Sequence, residues 1–124
     1  MAKSTALAEV MKAAEQGNAV AQNNLGVVYL TGKNVARDDA EAVKWFTKSA
    51  QQGNVSAQFN LGWMYHEGRG VAQNNTEAAH WYFEAAQQGN FNAQFNLGLM
   101  YRNGEGVVQD DGQAVLWFLK AAEQ

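Results

Sequence analysis

Cysteine is absent from the 124-residue chain, which excludes disulfides, thiolate-held metals and thiol nucleophiles. Proline is absent too, so nothing locks φ or removes a backbone donor, and helices can run uninterrupted. No apolar run approaches the roughly 20 residues of a membrane helix, so no membrane insertion is expected. The opening stretch, MAKSTALAEV, has one lysine and no apolar core, and does not read as a signal peptide. That leaves a cytoplasmic protein or a mature exported one. A dominant charge is missing as well. Nine Lys and Arg face 12 Asp and Glu, for a net charge of −3 and a pI ≈ 5.3. A mild, interspersed negative charge argues against nucleic acid, whose partners usually carry a basic face.

What is present is an ordinary globular balance, 47% hydrophobic and 17% charged, at one domain's length. The word AQQGN occurs at 50–54 and at 86–90, and AEQGN occupies 14–18. The spacing is 36 residues each time, and cutting at that period gives 13–48, 49–84 and 85–120. Fourteen of the 36 columns are identical in all three copies; in the first they include Gln16, Gln22, Asn24, Leu25, Gly26, Tyr29, Gly32 and Trp45.

Each unit reads as two helices. The first, near 19–31, starts after Gly17-Asn18, and Asn18, Asn54 and Asn90 suit its N-cap. It stops at Gly32, Gly68 and Gly104, where a residue without Cβ can turn left-handed. The second starts at Asp38, Asn74 and Asp110 and runs to the next Gly-Asn. Residues 2–16 fit the register of a second helix alone. The expectation is therefore a single domain over 1–124 with seven helices: a half-repeat at 2–16, then pairs at 17–52, 53–88 and 89–124.

Over 13–124 the chain resembles the Sel1-like repeat family, in motifs such as Ala57, Leu61-Gly62, Tyr65, Gly68-Arg69-Gly70-Val71, Ala78 and Trp81. The first copy departs with Asn34 at the second loop glycine, where Asn tolerates a left-handed conformation; the second has Asn74 at the capping Asp. The resemblance implies an all-α fold, a right-handed superhelical solenoid related to tetratricopeptide domains, whose first helices line a concave groove. It also implies an adaptor that binds a protein or peptide, with no cofactor. Cysteine-rich members are described as binding β-lactams, but this chain lacks their cysteine pairs.

On a wheel of the first helix, Ala21, Leu25, Gly26, Tyr29 and Gln22 fall on one arc, the packing face. Gly26, Gly62 and Gly98 there let the partner helix approach closely. Trp45, Trp81 and Trp117 share one column of the second helix and read as core. The opposite arc, about 180–300°, carries Phe59, Asn60, Trp63, His66 and Glu67 in copy two, and Phe95, Asn96, Leu99, Arg102 and Asn103 in copy three. Large apolar groups on a non-core arc point to a groove, or to packing against the neighbouring unit. Asn24, Asn60 and Asn96 are identical at its edge; they would hold a peptide backbone, as the tetratricopeptide resemblance implies, or tie adjacent repeats. The candidate partner-binding set is Asn24, Phe59, Asn60, Trp63, His66, Phe95, Asn96, Leu99 and Arg102. His66 and Arg102 would read polar or acidic features.

Signals for catalysis are weak. His66 and His80 lie on different helices, and His80 with Glu84 at i, i+4 reads as a surface pair rather than a metal site. None of Ser4, Ser49 and Ser56 sits in a nucleophile-elbow context. Glu9 stands at the tryptophan column and makes the first helix a solvent-facing cap, whereas Leu116, Phe118 and Leu119 crowd the last helix. That end either pairs with another molecule, as a homodimer through the C-terminal helix, or belongs to a longer array.

Overall fold

A computed structural model describes the backbone of residues 2–124 and the side chains from residue 5 onward. Seven helices follow one another: α1 (Ala2–Glu15), α2 (Ala19–Thr31), α3 (Asp39–Gln51), α4 (Val55–Glu67), α5 (Asn75–Gln87), α6 (Phe91–Asn103) and α7 (Asp111–Ala122). No strand occurs among the described residues. Extensive packing runs only between helices adjacent in sequence, which makes the fold an all-helical solenoid.

The caps do what their residue types dictate. Asn18, Asn54 and Asn90 accept from the backbone N–H three residues on, at 2.8–2.9 Å. Asp38, Asn74 and Asp110 do the same for the second helices at 3.0–3.1 Å. Each satisfies one free donor of a first turn. Gly32, Gly68 and Gly104 close α2, α4 and α6 in the left-handed conformation. Asn34 adopts φ 70° without being glycine, as its column requires.

In each pair the aromatic after the tryptophan packs on the mid-helix glycine of the preceding helix. Phe46 is fully buried and Tyr82 nearly so. A Cβ at Gly26 would come within 2.5 Å of the Phe46 ring, and one at Gly62 within 2.8 Å of the Tyr82 ring. Trp45 and Trp117 are buried as expected, but Trp81 is only half-buried. Lys44 and Lys48 cover the Trp45 ring at 5.0 and 4.9 Å, and Lys120 at 5.3 Å and Phe83 edge-on at 5.9 Å cover Trp117. The residues matching Lys44 and Lys48 around Trp81 are His80 and Glu84; His80 is exposed and meets the indole edge-on at 4.9 Å.

A ladder of glutamines joins the pairs. Buried Gln22, Gln58 and Gln94 donate to the carbonyls of Ala14, Ala50 and Ala86. Gln52 then donates to Gln22 Oε1 and Gln88 to Gln58 Oε1, both at 2.8 Å, and Gln124 repeats the bond to Gln94. Each buried amide thus meets a partner in the neighbouring unit, as burial demands.

Candidate partner-binding cavity

The first helices α4 and α6 stand side by side, with α5 behind them. Between them lies a cavity of about 390 Å³, lined chiefly by Trp63, His66, Glu67, Tyr82, Asn96 and Leu99, with Glu105 at its rim. Four of the nine residues expected from the sequence, Trp63, His66, Asn96 and Leu99, meet here. Trp63 is half-buried and packs on the core cluster containing Val43, Phe46 and Leu61. The guanidinium of Arg69 lies over its ring at 5.1 Å. Arg69 is held in turn by both carboxylate oxygens of Asp39, with both hydrogen bonds at 3.1 Å. Hydrogen bonds and charge from Arg69, with a smaller contribution from Arg37, hold the Asp39 carboxyl below its ordinary value of 3.8 despite some burial.

His66 lies between two carboxylates. Its Nδ1 lies 2.8 Å from Glu67 Oε2, and its Nε2 lies 3.8 Å from Glu105 Oε2. Tyr82 forms the back of the cavity. Burial pushes its hydroxyl up to about 12, aided by the charge of Glu67 and opposed by a hydrogen bond from Asn96. Glu67, Tyr82 and Glu105 were not among the expected residues. Glu67 lies on the non-core arc of the wheel but in a column that varies between copies, and Glu105 lies in a variable loop column.

The other five expected residues divide. Phe59 is half-buried in the joint with the third copy, its ring 5.6 Å from Tyr82 and packed on the cluster of Ala93 and Leu97. Asn60 donates to Asn23 Oδ1 at 3.1 Å, a tie between repeats. Asn24 is exposed. Phe95, at the column of Phe59, is 45% exposed. With Phe91, Leu99, Arg102 and Phe118 it walls a second cavity of about 430 Å³ at the α6–α7 end.

Comparison with known proteins agrees with this architecture. The Sel1 repeat model matches residues 19–54, 55–90 and 92–124. The chain belongs to the Sel1 repeat family, whose repeats are typically non-catalytic scaffolds for protein–protein interaction. Among solved structures it is similar to c5321, a protective antigen of uropathogenic Escherichia coli with this repeat fold, at 44% identity and a TM-score of 0.91. That match covers 93% of this chain and 25% of c5321, so the chain spans about a quarter of its length. It is also similar to a Sel1 repeat protein of Oxalobacter formigenes, at 40% identity and a TM-score of 0.87, covering 95% of this chain and 89% of that one. Cysteine-rich protein B of Helicobacter pylori shares the fold at 23% identity and a TM-score of 0.72, over 93% of this chain and 87% of that one. Comparison with curated proteins gives no match.

Proposed function

We propose that the chain is an adaptor that holds a peptide or a partner's edge along its first helices, by recognition without chemistry. The observation that carries this reading is the convergence of Trp63, His66, Asn96 and Leu99 from two successive first helices on one cavity. Trp63 and Leu99 supply apolar contact, and Asn96 keeps amide capacity for a backbone group beyond its bond to Tyr82. Asn24 carries the line of amides toward the first copy. Phe95 and Arg102 extend the surface toward the carboxy-terminal end. Phe59 serves by holding the two walls in register, and Asn60 by tying α4 back to α2.

The test is a paired capture from bacterial lysate, with the native chain and a Trp63→Ala/Asn96→Ala variant as baits. Light scattering and circular dichroism first establish that both are folded and of equal mass. Partners retained by the native chain and lost by the variant are expected. Equal retention by both baits, or none by either, would falsify the groove assignment.

A second reading has its own observation. Phe91, Phe95, Leu116 and Leu119 at the α6–α7 end are 43–56% exposed, a patch suited to self-association. In that case the mass from light scattering rises with concentration, and Phe95→Ser/Leu119→Ser abolishes the rise. A constant monomer mass removes this reading.

A further inference from the structure

We propose that the cavity between α4 and α6 receives a basic side chain, a lysine or arginine of the bound segment; this rests on the groove reading above. Glu67 at the end of α4 and Glu105 in the loop after α6 come from different repeats, yet both border one cavity. Their side chains remain 44% and 43% exposed, so each can turn to a ligand. No lysine or arginine is among its lining residues. Arg69 is engaged by Asp39 behind the Trp63 ring, and Arg102 lines the neighbouring apolar cavity. His66, between the two glutamates, carries a charge only when protonated.

The shape agrees with the charge. Trp63, Leu99 and Met100 give the cavity an apolar wall, and the carboxylates stand at its rim. A lysine or arginine has the matching profile: an apolar stem that lies along hydrocarbon and a cationic tip that stays at the wet edge. The volume of about 390 Å³ is that of a small ligand site. An acidic side chain would instead meet two like charges from facing repeats. His66 sits against the carboxylates that the cation would use.

The probe is a phage-displayed library of random dodecapeptides, selected on the native chain. Selected peptides are synthesised and titrated calorimetrically against the native chain, Trp63→Ala/Asn96→Ala and Glu67→Gln/Glu105→Gln. Thermal unfolding verifies that both variants are folded. Groove-dependent peptides are expected to share a lysine or arginine beside an apolar residue. Replacing that residue by norleucine should weaken binding at least tenfold, and so should Glu67→Gln/Glu105→Gln. Peptides that need Trp63 and Asn96 but bind Glu67→Gln/Glu105→Gln equally well, or that lack a basic residue, overturn the basic-side-chain assignment alone. Failure to select any peptide that needs Trp63 and Asn96 overturns both it and the groove.

Discussion

Arg69 grips Asp39 with two hydrogen bonds across a separation of 30 residues, joining the loop after α4 to the first turn of α3. Because Arg69 also covers the Trp63 ring, one ion pair both ties two repeats and backs the candidate site. Asp39→Asn should lower the melting temperature by roughly 1–4 °C, the scale of a partly exposed pair worth about 1 kcal/mol or less. The Asp39 carboxyl is held low, so its stabilising effect is fully present above about pH 4 and fades as pH falls further, through the folded-state value. Urea midpoints at pH 7 and pH 3 should therefore differ less in the variant than in the native chain. An equal difference would mean that the pair contributes nothing.

Gly62→Ala should destabilise the chain by about 1–3 kcal/mol, through overpacking against the Tyr82 ring and the Ala78 carbonyl. The sign is informative, because alanine in mid-helix ordinarily stabilises by about 0.5–1 kcal/mol relative to glycine. A rise in thermal midpoint would show that the ring moves aside freely.

Gln58 is buried between the first and second pairs, donating to Ala50 and accepting from Gln88. Gln58→Leu strands both partners and should lower stability by about 1–3 kcal/mol in urea titration. Gln94→Leu, at the end of the ladder, strands Ala86 and the terminal Gln124 and should lower it less.

Tyr82 should ionise only near pH 12 on an alkaline titration followed at the phenolate absorbance. Its raised value favours the protonated hydroxyl in the fold, so that stabilisation is intact below about pH 10 and is lost as pH climbs toward about 12. Tyr82→Phe should flatten this alkaline decline. If the native chain and the variant decline alike, another group governs the base limb.

The solenoid could be read from sequence because its determinants are local and threefold: caps at fixed columns, a stop glycine and a period of 36. The site was harder to read, for physical reasons. A wheel gives the direction of a side chain, not what lies beyond it. Phe59 and Phe95 share a column, yet one is covered by the next pair and the other is open. The Asn24 column shows the same limit. Asn96 meets a hydroxyl on Tyr82; Asn60 finds Phe46 at the matching place and turns to Asn23 instead. Glu67 and Glu105 left no periodic trace, since repeat geometry does not constrain a cavity's rim. The glutamine columns did stand out as identical, but their role appears only when partners 30 residues apart are brought together.

Packing that passes only from each helix to the next has a kinetic corollary. Opening can begin at either end and travel inward, so amide exchange should be graded along the chain and fastest at α1 and α7. A ligand spanning α4 and α6 acts as a clasp across the joint between the second and third pairs. Its arrival would slow exchange in α7, which it does not touch, and its departure would let that end fray again.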